Sequence, residues 1–191
     1  MKINLTQNKN FKLFKIISKV AQENNQTVYI VGGYVRDLLM QRKAPTDIDF
    51  VTEQSGIELA KSVGKELGDL KVSVFKTYGT AMIKYKDLDL EFVGARKESY
   101  SEDSRKPAVE TGTLEDDQKR RDFTVNALAI SLNAENFGEL IDPFNGREDM
   151  QNKILRTPLE PAQTYSDDPL RMMRAIRFAS VLHFEIEKNS L

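Results

Sequence analysis

Two short stretches of this chain alternate acidic and apolar residues, and that alternation narrows what it can fold into. Asp47-Ile48-Asp49-Phe50-Val51 and Asp87-Leu88-Asp89-Leu90-Glu91-Phe92-Val93 carry the period of two expected of half-buried strands. One face is packed and the other presents carboxylates. Upstream, Phe11, Phe14, Ile17 and Ala21, with Lys12, Lys15 and Lys19 between them, predict a helix over residues 11–23. Residues 27–31 read as a strand that Gly32-Gly33 ends, and residues 34–40 as the helix that follows. Residues 56–67 read as helix, and residues 72–75, 80–85 and 88–93 as three strands close together. Strand, helix, strand, helix and a strand cluster predict an α/β fold of the α+β kind, a mixed sheet with helices packed on it.

Residues 97–119 break the pattern. They are dense in charge, from Lys97 and Glu98 through Asp116, Asp117 and Lys119, and hold almost no large apolar side chain. Such a stretch predicts either a functional loop or a disordered segment. Apolar patterning returns from Asp122. Residues 167–184 read as a last helix, with Asp167-Asp168-Pro169 as N-cap and first-turn proline.

Composition limits the chemistry. The chain has no cysteine and one histidine, His183, near the end of the last helix and read as structural. A disulfide framework, a cysteine-ligated zinc, a thiol nucleophile and a multi-histidine metal site are excluded. The tools that remain are carboxylates, arginines and lysines, and the natural partner of carboxylates is a hard cation such as Mg²⁺. Lys+Arg is 28 and Asp+Glu 29, a net charge of -1. A globally basic nucleic-acid coat is thereby excluded and a local basic patch is not. A hydrophobic content of 40% suffices for a core. No apolar run approaches the roughly 18 residues of a membrane span, and residues 1–10 are polar, so a soluble, cytoplasmic chain is expected.

Asp47 and Asp49 stand two apart on a strand and leave the same face. They either cradle a divalent cation or are solvated acids on an edge strand. If the strand of residues 87–93 lies alongside, Asp89 or Glu91 becomes a third acid. Three acids on neighbouring strands can hold the two metal ions of in-line nucleotidyl transfer; otherwise they form the wet face of an amphipathic strand. Gly32-Gly33 either cradles phosphate with bare N–H groups or makes a tight turn needing positive φ. Arg36, beside Asp37, either reaches a phosphate or makes a surface ion pair of little worth. Arg120 and Arg121, at the expected start of a helix, oppose its dipole. Either an anionic substrate explains them, or they are a solvated pair capped by Asp122. Asp168 and Arg171, three apart, are a helix cap with an ion pair, or a carboxylate and a guanidinium that read cytosine or adenine and mispair with uracil and guanine. Arg171, Arg174 and Arg177 along one helix point to an anionic neighbour.

Taken in order, Val31-Gly32-Gly33-Tyr34-Val35-Arg36-Asp37, Asp47-Ile48-Asp49-Phe50, Arg120-Arg121-Asp122-Phe123-Thr124-Val125-Asn126-Ala127-Leu128-Ala129, Ile141-Asp142-Pro143-Phe144-Asn145-Gly146 and Asp168-Pro169-Leu170-Arg171 with Arg174-Ala175-Ile176-Arg177-Phe178 resemble the class II tRNA nucleotidyltransferase/poly(A) polymerase family, which includes the bacterial CCA-adding enzymes. The resemblance runs from about residue 28 to 179. It implies a polymerase-β-like nucleotidyltransferase head over residues 1–150 and the start of a helical neck over 151–191. It implies an enzyme that adds C, C and A to the 3′ end of tRNA from CTP and ATP, or a poly(A) polymerase or an A-adding or CC-adding relative. Asp47 and Asp49 would bind Mg²⁺, with Glu91 as third catalytic carboxylate. Gly32, Gly33 and Arg36 would hold the triphosphate. Arg120, Arg121, Asp122 and Asn126 would line the nucleotide and primer pocket. Asp168 and Arg171 would template the base, with Arg174 beside them. Residues 97–119 resemble the family's flexible loop, which takes part in the switch from C to A addition. The family's base-reading motif opens with glutamate where this chain has Asp167. The resemblance also implies that the neck, body and tail that grip tRNA follow residue 191.

Overall fold

A computed structural model describes residues 1–43, 45–101 and 104–190, with the chain path alone for residues 98–101 and 104–108. Along the chain come α1 (Phe11–Glu23), β1 (Tyr29–Val31), α2 (Gly33–Leu39), β2 (Asp47–Thr52), α3 (Gly56–Glu66), β3 (Val72–Phe75), β4 (Thr80–Tyr85) and β5 (Leu88–Gly94). Then follow β6 (Arg96–Ser101), β7 (Ser104–Thr111), α4 (Leu114–Lys119), β8 (Ala129–Ser131), β9 (Leu140–Ile141), α5 (Gly146–Asn152), β10 (Ile154–Leu155), α6 (Pro161–Asp167), α7 (Leu170–Leu182) and β11 (Glu185–Ile186). They divide into two compact units: residues 1–95 with 129–141, and residues 96–128 with 142–191.

The first unit holds a seven-stranded sheet in the order β3-β4-β5-β2-β1-β8-β9. β2 and β5 are parallel and the other pairings antiparallel, so the sheet is mixed. A parallel pair needs a crossover rather than a tight hairpin, and α3 with β3 and β4 lies in that connection. The alternation of the acidic strands then decides which face packs. Ile48, Phe50, Leu90 and Phe92 are wholly buried. Phe50 and Phe92 stack with ring centroids 5.0 Å apart, and Phe14 of α1 meets Phe50 edge-on at 6.4 Å. Burying such side chains is worth about 1.5–3 kcal/mol each, which fixes the register and turns the acids to the opposite face.

In the second unit β6 and β7 form an antiparallel ribbon, and β10 pairs in parallel with β11. Of the two alternatives for residues 97–119, a functional loop or a disordered segment, the second is corrected: the stretch carries β6, β7 and α4. Glu102 and Asp103 of that stretch lie outside the described residues. Val109 of β7 is half exposed, and the sequence of the segment offers no hydrophobic alternation to read. The last helix expected over residues 167–184 is present as α7 (Leu170–Leu182), a little shorter at both ends and with Pro169 as its N-cap rather than in its first turn. The residue before a proline is driven out of the α region, and Asp168, preceding Pro169, is extended (φ -147°, ψ 99°). The chain breaks there into α6 and α7. Among the described residues no helix is long and apolar enough to cross a membrane.

Candidate active site

The first unit gathers the acids and the glycine turn. Asp47 pairs with Asp89 and Asp49 with Glu91 across β2 and β5, so four carboxylates share one face of two neighbouring strands. Asp47 is exposed, and Asp49, Asp89 and Glu91 are half-buried. Like charges directly opposite on a sheet destabilise it, unless cations intervene. Lys84 does so for Asp89 at 2.9 Å, and Asp47, Asp49 and Glu91 stand on the same face of the pair. Among the described residues no three such groups already converge into a metal cage. That donor set suits Mg²⁺, which prefers one or two carboxylates and completes its octahedron with water and substrate phosphates.

Val31 pairs with Asp49 in antiparallel register, so the chain leaves β1 level with the acidic start of β2. There Gly32 has φ 71° and ψ -138°, a region open in practice only to glycine. The positive-φ turn is therefore present at Gly32, whereas Gly33 is the first residue of α2. Arg36 is not a surface pairing. It is buried, and its Nε and Nη2 donate to the two carboxylate oxygens of Asp37 at 2.9 and 3.0 Å. The bidentate grip fixes the guanidinium plane.

The second unit holds the other set. Arg120 and Arg121 do not start a helix. They follow the last turn of α4, with Arg120 as its C-cap, where the dipole favours cations. The anomaly that pointed to an anionic substrate is thereby removed. Both are held by Asp117, whose side chain is wholly buried. Arg120 donates to Oδ1 from Nε at 3.0 Å and Nη2 at 2.5 Å, and Arg121 to Oδ2 from Nε at 3.1 Å and Nη2 at 2.8 Å. Burial alone would push the Asp117 carboxyl up. The two guanidiniums outweigh that and hold it below the usual carboxylate range. At the other end of α4, Thr113 and Asp116 form a capping box.

Asp122 is buried and organises the next turn. Its Oδ1 accepts from the Phe123 N–H at 2.8 Å and from Asn126 Nδ2 at 3.0 Å, and its Oδ2 accepts from Arg174 Nε at 2.8 Å. Asp122, Asn126 and Arg174 are thus one hydrogen-bonded group. Arg174 also lies over the Phe178 ring at 5.2 Å, a cation–π contact. Asp168 and Arg171 do not share a helix face. The Asp168 carboxylate accepts from the Leu170 N–H at 3.1 Å. Arg171 donates from Nη2 to the Arg120 carbonyl at 2.9 Å and from Nη1 to the Thr164 carbonyl at 3.4 Å.

Two carboxylates escaped the sequence reading. Asp117 stands three and four residues before Arg120 and Arg121, the spacing of helical ion pairs, and that signal was lost inside a stretch read as loop. Asp149 gave none, because its partner is remote in sequence: Thr124 Oγ1 donates to it at 2.7 Å. Nearby, Asp142 accepts from the N–H groups of Gly146 and Arg147 at 2.7 and 3.0 Å, and a Cβ at Gly146 would overlap the Thr124 carbonyl. The Asp142-to-Gly146 motif thus seats α5 directly against the turn that carries Asn126.

Burial pushes the Asp149 carboxyl above its ordinary 3.8, against the lowering pull of Thr124 and Arg156. The folded state therefore favours the protonated acid. The stability this gives is complete below the unfolded value and is lost as pH rises through the raised one. Asp149→Asn is neutral throughout, so its melting temperature should fall less than the parent's between about pH 4 and pH 7. Parallel melting curves across that range would contradict the assignment.

The family described as the poly A polymerase head domain matches residues 28–156. An A-adding tRNA nucleotidyltransferase of Aquifex aeolicus (strain VF5) is 44% identical over 162 residues, covering 85% of this chain and 19% of that protein. A CCA-adding enzyme of Lactobacillus helveticus (strain DPC 4571) is 40% identical, over 85% of this chain and 39% of its own length. A crystal structure of a tRNA nucleotidyltransferase complexed with a primer tRNA and an incoming ATP analogue superposes with a TM-score of 0.80 at 40% identity, over 91% of this chain and 47% of that one. The chain thus spans less than half the length of these relatives. With the family match over more than half of its residues, and a mixed sheet that puts Asp49 beside Glu91, this chain belongs to the poly A polymerase head-domain family of tRNA nucleotidyltransferases.

Proposed function

We propose that this chain is the nucleotidyl-transfer head of an enzyme that adds C, C and A to the 3′ end of tRNA from CTP and ATP, releasing pyrophosphate. The observation that carries the reading is the register of β2 and β5, which sets Asp49 against Glu91 and Asp47 on the same face. Asp47, Asp49 and Glu91 would hold Mg²⁺. Metal held there would supply the lowering of the 3′-hydroxyl's pKa and the stabilisation of charge on the triphosphate and its leaving pyrophosphate. Cysteine is absent and His183 lies outside both sets of residues, so the protein's own share is positioning and charge stabilisation.

The Gly32 turn and Gly33 present bare backbone to the triphosphate, and Arg36, fixed by Asp37, supplies positive charge. Arg121, Asp122 and Asn126 line the nucleotide pocket, and Arg174, tied to Asp122, adds a cation beside the base. Asp168 and Arg171 select it: the carboxylate accepts from the amino group of cytosine or adenine, and the guanidinium donates to a ring acceptor. Uracil and guanine present the opposite pattern. In this reading residues 1–150 form the head and residues 151–191 begin a helical neck.

A second reading, addition of A alone, is favoured by the A-adding relative at 44% identity. The same motifs serve both. The test offers the full chain, with Mg²⁺, tRNA transcripts ending before the CCA, after C and after CC, each with the four nucleoside triphosphates singly and together. Stepwise addition of C, C and A that then stops supports the proposal. Addition of A only, onto the transcript ending in CC, supports the second reading. No addition to any transcript overturns both.

A further inference from the structure

We propose that Asp117 is a positioning residue for nucleotide selection, holding the base-reading Arg171 in place through Arg120. The proposal rests on the reading of Arg171 as a base-templating side chain. Asp117 touches no substrate in that reading. It acts through a short series of contacts, all of them within the second unit.

The geometry is specific. One oxygen of Asp117 takes Arg120 and the other takes Arg121, each through two nitrogens. Arg120 closes α4, so its carbonyl has no acceptor role inside the helix. Arg171 fills that carbonyl at 2.9 Å, bringing a cation to a helix C-terminus, where it is favoured. Arg121 Nη1 meanwhile reaches the Asn126 carbonyl at 3.4 Å, and Gln118, also buried, donates to the Ala127 carbonyl at 2.6 Å. The last turn of α4 is thus tied to the residue that reads the base and to the turn that carries Asn126.

Stability alone does not account for such a construction. A wholly buried carboxylate between two mostly buried arginines forgoes the hydration of three charges. Apolar replacements of buried ion groups are often neutral or stabilising. What two guanidiniums, each gripping its own oxygen through two nitrogens, do supply is orientation. If the carboxylate moves, the Arg120 side chain loses its anchor, the carbonyl of the same residue is then steadied by the end of α4 alone, and Arg171 loses a well-fixed acceptor before any nucleotide arrives.

The test uses the full chain and measures kcat and KM for all four nucleoside triphosphates, together with the melting temperature. Asp117→Asn, which keeps the shape and halves the acceptor capacity, is expected to lower discrimination of CTP and ATP against UTP and GTP about tenfold, with a raised KM for the correct nucleotides. Asp117→Glu keeps both charge pairings but moves the carboxylate by one methylene. It is expected to melt close to the parent and still lose discrimination. If Asp117→Asn does not fold, Asp117→Glu decides the matter alone.

The Arg171 side-chain Nε–H resonance, followed by NMR in the parent and in Asp117→Glu, is expected to move in the variant. A folded Asp117→Glu with parental discrimination and an unmoved Arg171 resonance overturns the proposal. A parent that incorporates nothing overturns the functional reading instead, and the Arg171 resonance then judges the coupling on its own.

Discussion

Replacing Asp49 with alanine is expected to abolish nucleotide incorporation while the chain still folds. The reason lies in the alternation of β2. The buried side chains Ile48 and Phe50 lock the strand to the core, whereas Asp49 is on the opposite face, paired across from Glu91. Removing it deletes a carboxylate from a crowded acidic face and leaves the packing of Ile48 and Phe50 untouched, so the chain should still melt cooperatively as a folded protein. If Asp49 holds metal, the loss is several kcal/mol of transition-state stabilisation, roughly a thousandfold or more in kcat. Steady-state incorporation and a thermal melt of the same preparation check both halves. An active variant would remove Asp49 from the metal site. An unfolded one would make its role structural.

Arg171→Ala is expected to loosen the choice of base rather than stop the chemistry. Arg171 is oriented by two main-chain carbonyls, those of Arg120 and Thr164, and alanine removes both anchors and the donor to the base. Loss of one such buried hydrogen bond is worth about 1–3 kcal/mol, roughly a 5- to 160-fold fall in the preference for CTP and ATP over UTP and GTP. The kcat for the correct nucleotides should suffer less than the discrimination ratio. Single-nucleotide incorporation with each of the four substrates measures it. An unchanged ratio would take base selection away from Arg171.

These expectations differ in how far the sequence alone could carry them. The acidic strands were legible because period two is a direct imprint of a sheet with one packed face, and their neighbours Phe50 and Phe92 confirm it by stacking. The turn at Gly32 was legible because a glycine pair after a β-branched run has few other uses. α4 was not legible. It is six residues long with one large apolar side chain, Leu114, and what it buries besides is Asp117 and Gln118, residue types that ordinarily signal solvent. Reading that segment as loop then misplaced Arg120 and Arg121 at a helix start, when they sit at a helix end. The start of the last helix at Pro169 was legible from the proline itself, and what the spacing of Asp168 and Arg171 hid is that Asp168 is extended and lies outside α7. The Thr124–Asp149 contact joins residues 25 positions apart, and no local pattern encodes such a pair.

The central claim is that carboxylates on one face of β2 and β5 drive nucleotidyl transfer with a divalent cation. Pyrophosphate release tests it most directly, measured with tRNA lacking its 3′ CCA and with CTP and ATP present, across a Mg²⁺ titration, for the parent and Asp49→Ala side by side. The account predicts one pyrophosphate per nucleotide added by the parent, none without the cation, and none from Asp49→Ala at any Mg²⁺ concentration. Equal release by the two proteins, or release by the parent that persists in excess EDTA, would contradict it.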